Sequence, residues 1–176
     1  MSNQEPPHQV LTEVLQANAA SVQEDTDRIV RDFLRQWGDD VCAEDLARIN
    51  ANPEKPIVLV VDCVFEKCEL IKFILEDKMG LLVCTAHTGR VMLAKIQVLE
   101  PYLIVTGLNT LHFYPPSYAW AVVNAERIDG IPMVFATGAS EYRYPREIPK
   151  GSKVCVLPVP FNVQECIVAV KEMLQP

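Results

Sequence analysis

From Pro56 onward the apolar positions gather into five short, nearly continuous runs: Ile57–Val61, Leu81–Ala86, Leu103–Gly107, Met133–Thr137 and Val154–Leu157. Continuous apolar runs of this length, without polar alternation, predict strands covered on both faces, as in a parallel sheet. Helix-period segments separate most of them. Phe65–Lys78 carries Phe65, Leu70, Ile71, Ile74 and Leu75, and Thr88–Leu99 carries Val91, Met92, Ala94, Ile96 and Val98. Ser117–Arg127 and Asn162–Leu174 complete the set, and Asn162 with Glu165 three residues on predicts a capping box for the last helix. Strands alternating with helices predict a doubly wound α/β domain. Pro145, Pro149 and Gly151 interrupt the stretch between Thr137 and Val154, so the fourth crossover helix is expected to be short or missing.

The first 53 residues follow another pattern. Leu11, Leu15, Ala19, Val22, Ile29 and Phe33 keep the three-four spacing of one helical face, widened by Val10, Val14, Val30 and Trp37. A single helix from Gln9 to Trp37 would extend about 44 Å at the standard rise per residue. A break near Ser21–Asp27, with Ser21 and Glu24 capping a second helix, fits the same residues. A further helical turn is expected over 43–50. Asn52, Pro53 and Pro56 form a breaker-rich junction, which divides the chain into an N-terminal helical arm and linker, 1–53, and a second domain, 54–176. Charge divides there too. Residues 1–53 hold ten acidic and four basic side chains, against thirteen and twelve in the remainder. An arm of this size rarely builds a core alone, so its stripe packs either on its own domain or on another chain. For the second case Leu11, Leu15, Phe33 and Trp37 are the candidate partner-binding residues.

The overall charge of −7 argues against nucleic acid or an anionic membrane as the main partner. No apolar stretch is long enough to span a bilayer, and the polar start Met1-Ser2-Asn3-Gln4-Glu5 is unlike a signal peptide, so a cytoplasmic location is expected. Cysteines 42, 63, 68, 84, 155 and 166 form no CxxC pair and read as reduced thiols. His8, His87 and His112 lack ligand spacing, and no Walker, GxGxxG or GxSxG motif is present, so no cofactor, metal site or enzymatic activity is expected.

In a doubly wound sheet, chemistry collects at the carboxyl ends of the strands. The segments there resemble those of a known family. Ile57-Val58-Leu59-Val60-Val61-Asp62, Cys84-Thr85-Ala86-His87-Thr88-Gly89, Tyr102-Leu103-Ile104-Val105, Ile131-Pro132-Met133-Val134-Phe135-Ala136-Thr137 and Leu157-Pro158-Val159-Pro160-Phe161 are similar, in order and spacing, to the receiver domain of two-component response regulators. The resemblance covers essentially all of 56–176 and implies a flavodoxin-like fold with strand order 2-1-3-4-5.

The family's chemistry needs an acidic pair after strand one, a phosphoryl-accepting aspartate ending strand three, a hydroxyl after strand four and a lysine after strand five. Mapped on this chain, those positions are Asp62 and Cys63, Gly107, Thr137 and Val159. Gly107 offers no acceptor and Val159 no charge, and Val156 replaces the switch aromatic. The resemblance is therefore to a degenerate, pseudo-receiver domain. Asp62 is expected to cap the following helix, with residual metal ligation as the alternative. Cys63 reads as a structural thiol or, alternatively, a redox-sensing one. The aromatic stretch 111–120 and the loop residues Tyr142, Arg143 and Tyr144 are of the types that anchor protein interfaces.

The implied function is a phosphorylation-independent signalling adaptor that binds a protein, such as a signalling kinase or another regulator, and forms a homodimer through its arm. The alternative is a small-molecule or redox sensor using the vacated phosphorylation pocket, which Cys63, Gly107, Val156 and Val159 are expected to make apolar.

Overall fold

The computed structural model describes residues 28, 31, 32, 35, 42–107, 130–138 and 153–175. Five strands form one parallel sheet: β1 (Ile57–Val61), β2 (Leu82–Ala86), β3 (Leu103–Thr106), β4 (Met133–Gly138) and β5 (Val154–Val159), in the order β2-β1-β3-β4-β5. Four helical elements accompany it: α1 over 42–50, α2 (Phe65–Met79), α3 (Gly89–Leu99) and α4 (Val163–Leu174). The order expected from the sequence is the order observed. The length of the fourth crossover lies outside the described residues, as do the expected helix over 117–127 and most of the arm. At the arm's described positions, Arg28, Arg31, Asp32 and Arg35 are helical and exposed, on the polar side of the stripe.

Both faces of the sheet are covered, which is why its strands read as continuous apolar runs. Leu59, Val61, Cys84, Ile104, Met133 and Phe135 point towards α3. Val58, Val60, Val83, Leu103, Val105, Val134 and Ala136 point the other way, into a core shared with α2 and α4. The helix boundaries follow local chemistry. Thr88 caps α3 by accepting the Val91 N–H, and α2 ends at Gly80, whose φ of 66° suits glycine. The predicted capping box is present: Asn162 accepts the Glu165 N–H while Glu165 accepts the Asn162 N–H. Asn162→Ala is expected to lower stability by about 1 kcal/mol in urea denaturation, the usual cost of losing such a cap.

One expectation about burial needs correction. Phe65 and Leu70 follow the helical period of α2, yet they are 58% and 51% exposed, with Phe73 exposed beside them. The buried stripe runs instead through Cys68, Ile71, Ile74 and Leu75. The helical turn expected over 43–50 is present, and it packs on the sheet domain, one of the two alternatives open for the arm. Cys42 is fully buried and joins the α3-side core, where Ile49 also packs. β5 also runs two residues further than expected, so Val159 pairs with Gly138 inside the sheet rather than following it.

Candidate functional site

The carboxyl ends of β1, β3 and β4 lie side by side, and the sheet register alone brings Asp62, Gly107 and Thr137 to one end. Asp62 follows β1, its N–H donating to the Ala86 carbonyl, and Gly107 follows β3, its N–H donating to the Val61 carbonyl. Asp62 is buried, with 3% of its surface exposed. One carboxylate oxygen, Oδ1, accepts the Val64 N–H at 2.9 Å. The other, Oδ2, pairs with Lys67 Nζ at 2.6 Å. Asp62 thus closes the turn entering α2 rather than capping the helix, whose N-cap is Val64 with no side-chain cap.

Lys67 is the residue that the sequence reading passed over. It lies in the first turn of α2, and its ammonium also donates to the Ala136 carbonyl at 2.8 Å. One side chain therefore ties the end of β1 to the end of β4, across the intervening β3. Gly107 sits directly under this bridge. A Cβ at that position would come within 2.3 Å of Asp62 Oδ2 and 3.2 Å of Lys67 Nζ, so the ion pair uses the space that an acceptor side chain would need. The signal was present in the sequence as a lysine one helical turn beyond Asp62. Only the folded geometry shows which way its head turns.

The receiver fold implies a divalent cation at this end of the sheet, and the residues here do not fit one. A hard dication wants several oxygen ligands. Asp62 supplies the one carboxylate of the position, and both its oxygens are already engaged. Gly107 brings no side-chain oxygen and Cys63 brings sulfur, while Lys67 places a positive charge beside the carboxylate. Among the described residues no group of three His, Cys, Asp or Glu side chains converges in a metal-holding cluster. The expected apolar lining is likewise corrected, since a charged pair sits against Gly107. The described cavities, of about 530 and 430 Å³, share Glu100, Pro101 and Ile131 at the opposite end of the strands.

Around the bridge, Thr137 is buried at the end of β4, and Val159 is half-buried in β5. His87 Nδ1 lies 3.1 Å from the Asp62 carbonyl oxygen, which requires the ring hydrogen on that nitrogen, and its ring meets that of Phe65 at 5.4 Å. The Cys68 thiol donates to the same carbonyl at 3.5 Å. The candidate partner-binding residues Leu11, Leu15, Phe33, Trp37, Tyr142, Arg143 and Tyr144 lie outside the described residues, as does the aromatic stretch 111–120.

The six cysteines divide by environment. Cys63 is exposed, whereas Cys42, Cys68, Cys84 and Cys166 are buried and Cys155 is partly so. Burial pushes the Cys84 thiol up to about 12, helped by the negative charge of Asp45 and a hydrogen bond to it. Burial likewise raises Cys68, Cys155 and Cys166 to about 11. Cys63 is therefore expected to react with a disulfide reagent at pH 8 well before the others, as counted by timed mass spectrometry. The alkaline side of the stability profile follows from the same shifts. A thiol ionising near 9 when unfolded but near 11–12 when folded leaves stability intact below pH 9. The unfolded chain then gains by ionising first, so stability should fall progressively from pH 9 to 11, as checked by urea midpoints.

No protein-family model matches the chain, and no curated protein matches it. Solved structures do. The chemotaxis response regulator CheY4 of Vibrio cholerae is 22% identical, with a TM-score of 0.56, over 68% of this chain and 99% of that one. A response regulator from Chloroflexus aurantiacus is 21% identical, with a TM-score of 0.59, over 69% and 98%. A response regulator receiver protein from Sinorhizobium medicae is 20% identical, with a TM-score of 0.53, over 70% and 97%. At these identities the likeness establishes the fold: the sheet domain has the architecture of a response-regulator receiver.

Proposed function

We propose that this chain is a phosphorylation-independent signalling adaptor, in which a pseudo-receiver domain binds a partner protein and the helical arm mediates self-association. The observation that carries the reading is the Lys67 bridge. An ammonium paired with Asp62 at 2.6 Å, over a glycine with no acceptor group, supplies internally the positive charge that a receiver takes from a bound cation. Phosphoryl transfer needs an acceptor oxygen and neutralisation of the transferred group. Among the described residues, the carboxylate beside Gly107 is that of Asp62, which is buried and committed to Val64 and Lys67. With no acceptor to switch it, the domain would signal through its surface alone.

The partner is expected to be a protein of a two-component pathway, a signalling kinase or another regulator, encountered in the cytoplasm. The arm is expected to bring two copies together through Leu11, Leu15, Phe33 and Trp37, and Tyr142, Arg143 and Tyr144 to contribute to partner binding. No catalytic activity is assigned. The sensor alternative has less behind it, because the ion pair already fills the space beside Gly107.

The test compares the full chain with two full-length variants, one with Leu11, Leu15, Phe33 and Trp37 changed to serine, the other with Tyr142, Arg143 and Tyr144 changed to alanine. Mass by light scattering should fall for the first, and capture of a specific cytoplasmic protein should be lost in at least one. Unchanged mass and unchanged captured proteins in both would overturn the adaptor reading. Incorporation of a phosphoryl group from acetyl phosphate with Mg²⁺ would overturn phosphorylation independence.

A further inference from the structure

β2 is an edge strand, and the sequence gives it no protection of its own. Leu82-Val83-Cys84-Thr85-Ala86 has no charge, proline or glycine, which are the devices that normally keep an open edge from pairing with another chain. The Leu82 N–H and the Ala86 carbonyl bond to the β1 side. By strand alternation, the backbone groups of Val83 and Thr85 therefore face outward. At the opposite edge the register turns Pro158 outward in β5, where it removes a donor.

Three of these outward groups of β2 are taken by side chains, one from each of three helices. Arg48 of α1 donates to the Val83 carbonyl at 2.8 Å, Glu76 of α2 accepts the Val83 N–H at 3.3 Å, and Lys95 of α3 donates to the Thr85 carbonyl at 2.8 Å. These side chains are also joined to one another. Arg48 pairs with Glu76, and Asp45 of α1 pairs with Lys95 at 2.5 Å, both of the latter being buried. Long charged side chains are thus held in fixed positions along one strand edge, with Cys42 and Ile49 anchoring α1 in the adjacent core.

We propose that α1, together with the Glu76 and Lys95 side chains locked to it, guards this edge, and that breaking these contacts lets β2 pair with β2 of a second copy of the chain. The occupant follows from the strand: a short uncharged edge is complementary to itself across a two-fold axis. This association is distinct from the one proposed for the arm, and it does not depend on the adaptor reading.

The test uses full-length protein carrying Arg48→Ala, and separately Asp45→Asn with Lys95→Met, which removes the buried pair without stranding a charge. Mass by light scattering should rise with concentration to twice that of the unmodified protein under the same conditions, with the Val83 amide protected from exchange in the associated form. Adding Thr85→Lys, a charge on the edge, should return the mass to the starting value. Variants that melt cooperatively yet keep the original mass would overturn the proposal, as would a mass increase that Thr85→Lys fails to reverse. If Arg48→Ala does not fold, Glu76→Ala gives the same decision, since it uncovers the Val83 N–H from a half-exposed position.

Discussion

Lys67→Met is expected to lower the unfolding free energy by about 3 kcal/mol, because it leaves the Asp62 carboxylate buried without its counter-charge. Asp62 has 5% of its side chain exposed and cannot turn to solvent without giving up the Val64 N–H that shapes the entry to α2. The Ala136 carbonyl would also lose the ammonium it accepts from, loosening the end of β4 beside Thr137. The partly exposed lysine places the cost towards the lower end of the range for broken buried pairs. Urea denaturation reads the loss. The double variant Asp62→Asn with Lys67→Met should recover much of it, since an amide needs no counter-charge. A single variant as stable as the parent would mean that the bridge is a surface contact without structural weight.

Gly107→Asp, which places a carboxylate at the end of β3, is expected to destabilise the fold without creating a phosphoryl acceptor. The first side-chain carbon would lie 2.3 Å from Asp62 Oδ2, so Asp62 must move and its pair with Lys67 must open. Overpacking alone typically costs 1–3 kcal/mol, and the second carboxylate adds repulsion at a site with one ammonium. A drop of about 3 kcal/mol in stability is expected, with no phosphoryl group gained from acetyl phosphate and Mg²⁺. Gly107→Ala separates the two effects, carrying the steric part without the charge. Phosphorylation of the Gly107→Asp protein would show that the bridge yields to a cation, and that the site lost only its acceptor.

The contrast between these residues marks what could be read beforehand. The five strands, their parallel pairing and the capping box at Asn162 were legible because each is a local pattern: continuous apolar runs, helical periods between them, an Asn with Glu three residues on. Gly107 could be placed at the end of β3 for the same reason. α2 was harder. Its apolar residues occupy more than one face, so periodicity could not say that Leu70 turns outward; packing against β1, β2 and α4 made the choice. The packing of segment 42–50 was out of reach for a related reason. Its charged residues, Asp45 and Arg48, look like solvent-facing positions until Lys95 and Glu76, which lie 50 and 28 residues further along the chain, are brought beside them.

By itself, then, the sequence determined five buried strands alternating with helices, because strand and helix periods are properties of neighbouring letters, while the strand order came from the family resemblance. The tertiary structure alone decided which side chain sits beside Asp62 and Gly107. Lys67 reaches Asp62 within its own turn of chain, but its second partner, Ala136, is 69 residues away. The guarding of β2 likewise joins three helices around an edge that exists only once the sheet is ordered. Long-range electrostatic pairs carry no periodic signature, since a charge is placed by the fold that surrounds it and not by the residues on either side.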